Sequence, residues 1–359
     1  MKVLYTGNYK DGTGWGNACI GNILAMDSVG IDVVPRAISF EQQDKDYPDR
    51  IKELERKFCK KSDNLDCKVV IQHTLPHLYC YKAGYKNIGF YATESDSYEP
   101  SAWHYHANLM DEIWVPSEQN LEAAKKSGVK VPVKVVPHSL DMSIYTETQG
   151  AKIQEMKNYF TFGFIGEFVE RKNLRDLVRA FHMEFDTREP VNLFIKTSKT
   201  DLKTVQDFCT NIRRGLKLRD LYREEIIVEG ILKQKDYISV MNQIDCFVMP
   251  SRGEAFCIPA LESMALGIPV IYTKGTGMSF CGDRGAVESK LEPCYGDMAT
   301  LPDLGTSDTM WREIDITELR KKMRMMYENR GVYKEEYKQM AQQYDHKQVG
   351  MKIKEILND

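Results

Sequence analysis

The chain has 359 residues, more than one hydrophobic core ordinarily organises, and 42% of them are apolar, enough to fill two. Its 49 basic and 52 acidic residues leave a net charge of −3, which excludes a protein built chiefly around a bare phosphate backbone, although a local basic groove would not register in that total. Nine cysteines, odd in number and without a C-x-x-C pair, exclude a disulfide scaffold and fit a reducing, cytoplasmic compartment, and neither a signal-peptide run nor eighteen consecutive uncharged apolar residues occur.

Short β-branched and aromatic runs at residues 2–6, 31–38, 67–73, 87–93, 112–117 and 131–137 predict strands, with helices at 17–29 and 118–126 between some of them. Strands and helices alternating at this spacing predict right-handed βαβ units and a parallel sheet. After the polar run 141–158 the pattern restarts, with strands at 159–166, 191–197, 224–230, 245–251 and 268–273. Residues 315–330 and 346–359 read as helix, the first burying Leu319, Met323 and Met326 on one face. The expectation is an α/β protein of two tandem Rossmann-like, doubly wound domains facing a cleft. Their bounds are 1–150 and 151–335, with a linker near 146–157, and 336–359 forms a helix packing back on the first domain. In such sheets ligands sit outside the carboxyl ends of the strands.

In the first half, "YKDGTGWGNA" (9–18) follows the first strand. Gly12, Gly14 and Gly16 are spaced by two, so this is not the dinucleotide fingerprint G-x-G-x-x-G, which disfavours an oxidoreductase. Gly14 would allow a close backbone approach, and Trp15 could stack on a sugar or base. His73 ends a strand, and Glu94 lies in the loop "YATESD"; both are candidate sugar or acceptor contacts. The histidine pairs 73/77 and 104/106 lack the further ligands of a zinc site, so no metal is expected. Lys125, Lys126, Lys130 and Lys134 form either a solvated face or a basic rim.

In the second half, the strand ending at Gly166 runs into Arg171-Lys172-Asn173, read as the opening of a helix with Leu174, Leu177, Val178 and Phe181 on one face. Two adjacent cations at a helix start oppose the dipole preference, which argues for a use beyond packing. Further on, "SRGEAFCIPALESMALGIPVI" (251–271) places Glu254 in a loop at a strand's carboxyl end and Glu262 about one turn into a helix that starts near Ile258. The backbone N–H groups of Ala255, Phe256, Cys257 and Ile258 lead into that helix and suit an anion. The acids suit pairs of hydroxyls. Acceptors for hydroxyls beside donors for phosphate describe a nucleotide-sugar site.

This stretch resembles the E-x7-E signature of retaining glycosyltransferases of the GT-B fold, most closely their family 4, from the proline-serine-x-x-glutamate start to the alanine-x-glycine-x-proline end. The segment from Gly166 to Asn173 looks like the family's G-x-x-x-x-R-K-N element. The resemblance implies that Glu254 contacts the transferred sugar, Glu262 the nucleotide ribose, and Arg171 and Lys172 the donor diphosphate in place of a metal. It puts Gly230 and Ile231, after the strand at 224–230, beside the nucleobase, and the Gly14 loop across the cleft. The turn "VVPHSLD" (135–141) departs from the family pattern at His138 and Ser139. In a retaining reaction the departing phosphate can take the acceptor's proton, so no separate protein base is implied. The expected function is therefore metal-independent transfer from a UDP- or GDP-linked sugar to a hydroxyl. The alternatives are transfer to a modified base in DNA and a non-catalytic nucleotide-sugar-binding relative.

Overall fold

The computed structural model describes residues 1–39, 46–57, 67–146, 150–217, 222–297, 304 and 306–358; Cys59 and residues 147–149 of the expected linker lie outside them. The chain divides into two compact units, Met1–Met142 with Gln342–Asp359, and Ser143–Ala341.

The first unit runs β1 (Lys2–Gly7), α1 (Gly14–Ser28), β2 (Asp32–Ala37), α2 (Asp49–Glu55), β3 (Val69–His73), β4 (Lys86–Phe90), α3 (Trp103–Ala107), β5 (Glu112–Val115), α4 (Glu118–Lys126) and β6 (Val133–Val135). Its strands pair in parallel in the order β2-β1-β3-β4-β5-β6. Central strands of such a sheet are covered on both faces, which is why β3, "VVIQH", is buried at every position. Pro35 is tolerated in β2 because that strand is at the edge. The chain leaves β1 in one direction for β2 and in the other for β3, so the topological switch lies between β1 and β3.

The second unit runs β7 (Phe160–Ile165), α5 (Leu174–Glu184), β8 (Val191–Lys196), α6 (Leu202–Leu216), β9 (Ile226–Val228), α7 (Gln234–Met241), β10 (Cys246–Met249), α8 (Ile258–Ala265), β11 (Val270–Thr273) and β12 (Ala286–Val287). An antiparallel pair, β13 (Ser289–Pro293) and β14 (Met310–Ile314), then leads to α9 (Ile316–Glu328) and α10 (Lys334–Ala341). The parallel sheet has the order β12-β11-β10-β7-β8-β9, the 3-2-1-4-5-6 arrangement when counted from its own first strand. Its switch point falls between β7 and β10.

Two sequence expectations change here. The segment 336–359 is not one helix: α10 packs on α8, with the Tyr337 hydroxyl donating to the Val270 carbonyl at 3.4 Å, and the chain rejoins the first unit only from Gln342. The last helix, α11 (His346–Asn358), then lies against α1, and Gly350 approaches so closely that a Cβ there would meet the Ala25 carbonyl at 2.1 Å. Arg171 and Lys172 also do not open α5. They sit in a separate 3₁₀ turn, Glu170–Lys172, and Asn173, left-handed at φ 55°, caps the helix that starts at Leu174. Among the described residues no helix is long and apolar enough to cross a membrane.

Candidate active site

At the carboxyl ends of β7 and β10 the second unit gathers three of the predicted side chains. The Lys172 ammonium donates to Glu254 Oε1 at 2.6 Å, and the Arg171 guanidinium reaches the same oxygen at 3.3 Å while donating to the Gly253 carbonyl at 2.7 Å. Both Arg171 and Glu254 are buried. Burial alone would push the Glu254 carboxyl up, but the charges of Lys172 and then Arg171 outweigh it and hold the group below the ordinary carboxylate range. The carboxylate is therefore ionised at neutral pH and fixes two cations side by side.

This cluster is braced from behind by a residue to which sequence reasoning assigned no role. Arg252 grips Glu313 through two nitrogens (2.7 and 3.2 Å), donates to the Glu170 carbonyl at 2.6 Å, and lies over the rings of Tyr295 and Trp311. Its own N–H and the Ser251 hydroxyl both donate to the Arg171 carbonyl, at 2.7 and 3.0 Å. The backbone carrying Arg171 is thus pinned by the loop carrying Glu254. The hint in the sequence was an arginine two residues before Glu254 in the same short loop.

The loop between β10 and α8 is tightly seated. A Cβ on Gly277 would lie 2.0 Å from the Ala255 carbonyl, and the Gly277 N–H donates to the Glu254 carbonyl at 2.7 Å. Phe256 stacks on Phe280 with centroids 4.4 Å apart. Cys257 is held at φ 76°, a left-handed conformation unusual for a side chain of this kind, and precedes Ile258 at the start of α8. No side chain caps α8, so the positive end of its dipole faces the loop; Pro259 carries no N–H, and those of Ala260 and Leu261 donate to the Cys257 carbonyl at 3.1 and 3.4 Å. Burial, then the Glu254 charge, pushes the Cys257 thiol up to about 12; the thiol also feels Lys172 and Glu262, so the four groups share one neighbourhood.

Glu262, half-buried on α8, is in a different setting. Its two oxygens accept from the Tyr145 hydroxyl at 2.7 Å and the Tyr237 hydroxyl at 2.6 Å. Burial raises the carboxyl above its usual value, and the two phenols offset that only in part.

The other predicted residues are distributed as follows. Gly166 follows β7 with its N–H on the Lys196 carbonyl at 3.1 Å, and a Cβ there would crowd Phe164 at 3.1 Å and stand 3.6 Å from the Lys172 stem. Gly230, at φ 87°, turns the chain after β9 and leaves Ile231 81% exposed. In the first unit, Gly14 opens α1 with open space around it, while the close approach belongs to Gly16, whose Cβ would meet the Asn8 carbonyl at 3.1 Å. His73 is buried at the end of β3, accepting or donating at 2.6 Å with the Tyr5 hydroxyl and stacked on Phe90; Trp15 stands 6.0 Å from it. Glu94 is half-buried after β4. Lys125 and Lys126, in the suspected basic rim, pair with Glu122 and Asp96. Lys196, half-buried at the end of β8 with its ammonium pushed down by burial, was not anticipated.

Two Rossmann-like halves, each with a parallel sheet, are the architecture of the GT-B glycosyltransferase fold. Residues 146–279 match the family described as "Glycosyl transferases group 1". Among solved structures, Anabaena HepE in complex with UDP superimposes with a TM-score of 0.65 at 15% identity, covering 100% of both chains. The same protein has been solved with UDP-glucose. By sequence, the chain is 24% identical over 172 residues to the Escherichia coli serotype-specific mannosyltransferase WbdA, covering 46% of this chain and 17% of that one. It is 23% identical over 190 residues to protein 356 of Sulfolobus islandicus rod-shaped virus 1, covering 52% and 51%. The chain thus spans about half the length of the first viral relatives it matches.

Proposed function

We propose that this protein transfers a sugar from a nucleotide-sugar donor to an acceptor hydroxyl, with retention of configuration and without a metal. The observation that carries the reading is the convergence of Lys172 and Arg171 on Glu254 next to the uncapped first turn of α8. Breaking the sugar–phosphate bond places negative charge on the leaving diphosphate, and preorganised cations and N–H dipoles stabilise that charge where it develops. The Glu254 carboxylate holds both cations in register and offers remaining lone pairs to hydroxyls of the transferred sugar. Glu262 then serves the ribose. In a retaining course the acceptor oxygen bonds to the anomeric carbon on the face the diphosphate leaves, and its proton passes to the departing phosphate oxygen. That is consistent with a site in which the charged groups that shift Glu254 are the cations Lys172 and Arg171 and the nearby Cys257 thiol is held protonated.

The UDP and UDP-glucose complexes of HepE support a uridine nucleotide as the first donor to try. The test is incubation with UDP-, GDP- and ADP-linked sugars, scoring release of nucleoside diphosphate and, by NMR, the anomeric configuration of the product. Release from one donor, dependent on Lys172, is expected. Failure of every donor to shift the melting temperature or to be consumed would contradict the reading.

A further inference from the structure

Resting on the donor-site reading of Glu262, we propose that Tyr145 and Tyr237 are positioning residues that aim the Glu262 carboxylate at a vicinal cis-diol, the 2′- and 3′-hydroxyls of the donor ribose. A carboxylate offers about four acceptor positions, two on each oxygen. Tyr145 takes one on Oε1 and Tyr237 takes one on Oε2. One position per oxygen is left over, on a group whose rotation is now fixed at both ends. Two parallel acceptors on a locked plane match two adjacent hydroxyls, which is the logic of bidentate recognition.

The identity of the clamping groups matters as much as their number. Among the described residues, what shifts Glu262 is burial and these two phenols, and no cation is among these causes. A lysine or arginine in their place would neutralise the carboxylate and compete with the ligand for it. A phenol gives one hydrogen bond and leaves the negative charge to attract hydroxyl hydrogens. Burial, followed by the Glu262 charge, pushes the Tyr237 hydroxyl far above its ordinary range, so it stays protonated and donates. The two tyrosines also come from separate places, Tyr237 from α7 and Tyr145 from the chain just past the unit boundary at Ser143. Glu262 on α8 is therefore held by two segments that the donor itself need not touch.

The experiment is a calorimetric titration of UDP, GDP and ADP and their 2′-deoxy counterparts against the wild type, Tyr145→Phe, Tyr237→Phe, the double variant and Glu262→Gln, with thermal melting as the folding control. The wild type is expected to prefer the ribonucleotide by about tenfold, the range of one well-formed hydrogen bond to a charged group. Each phenylalanine variant should narrow that ratio several-fold while leaving affinity for the 2′-deoxy nucleotide unchanged, and the double variant and Glu262→Gln should bring it near one. Equal losses of ribo- and deoxynucleotide affinity in the tyrosine variants would mark a merely structural role and overturn the proposal, as would an undiminished ratio in both. If Glu262→Gln keeps the wild-type ratio, or the wild type binds none of these nucleotides, the donor-site reading itself fails first.

Discussion

The two units place chemically opposite materials at the same topological position. Beside β7 and β10 stand an ammonium, a guanidinium and a carboxylate, interlocked within 3.3 Å. Beside β1 and β3 stand rings: Tyr5 on His73 at 2.6 Å, His73 stacked on Phe90 with centroids 4.1 Å apart, and His138 with its ring centroid 6.1 Å away. Burial drives both imidazoles down, His138 to about 3, and His138 lowers His73 further. At neutral pH one switch point is therefore a fixed-charge site and the other an uncharged aromatic one. Fixed charge suits an anion whose charge grows during reaction; neutral rings and single hydrogen-bonding groups suit an uncharged polyol. The comparison teaches that strand order decides where a site is placed, while the residues just beyond the strand ends decide what it can hold.

The contrast breaks most severely at Glu254. Glu254→Gln leaves the buried Arg171 and the partly buried Lys172 without their shared carboxylate, and removing one partner of a buried ion pair costs about 3–5 kcal/mol, read as a lower denaturant midpoint. Because the folded carboxyl titrates below its unfolded value, its contribution is present above the unfolded pKa and lost as pH falls through the folded one. The variant should lack that acidic limb of the stability profile. Next comes Lys172→Ala, which should lower turnover by about 10²–10³-fold, the effect of deleting one donor to a developing anion. It is checked by steady-state rates with whichever donor the panel identifies.

The uncharged switch point predicts a pH effect of the same sign but a different window. The folded chain refuses protons at His73 and His138 that the unfolded chain accepts, so stability is full above the usual histidine pKa and falls as the pH drops below about 6.5. By pH 5 the loss is about 2 kcal/mol for each histidine that stays neutral. Thermal unfolding between pH 7.5 and 5 should show it, and His73→Gln should flatten the slope; an unchanged slope would place the titration elsewhere. The smallest effect belongs to Lys125→Ala. Its partner is the exposed Glu122 three residues away, so stability should move by less than about 0.5 kcal/mol and donor turnover should not change.

Much of this was legible in the sequence, for a physical reason. Strands covered on both faces read as apolar runs, and the repeated series of such runs gave the two doubly wound halves. Glu254, Arg171 and Lys172 stood out because two cations at a helix start, and an acid in a tight loop after a strand, are poor choices for packing alone. Their pairing was not legible: Lys172 and Glu254 are 82 positions apart, and no local pattern says which strand ends become neighbours. The same holds for Tyr145 and Glu262, 117 apart, and for the Arg252 brace with Glu313. The β13–β14 pair escaped because its exposed residues, "SKLEP", lack a buried face. The break between α10 and α11 escaped because no glycine or proline marks it. Gly14 was read as the close backbone approach, whereas that approach belongs to Gly16, and the Asn8 carbonyl 3.1 Å from its would-be Cβ is visible only in three dimensions.

The central claim is that Arg171 and Lys172, held by Glu254, recognise a diphosphate. The direct measurement is the ratio of dissociation constants for uridine and UDP, taken by calorimetry in the wild type and in Lys172→Ala at fixed salt. The account predicts that UDP binds far more tightly than uridine to the wild type and that most of this advantage disappears in the variant. Equal affinity for the two ligands, or an advantage that survives the substitution intact, would contradict it.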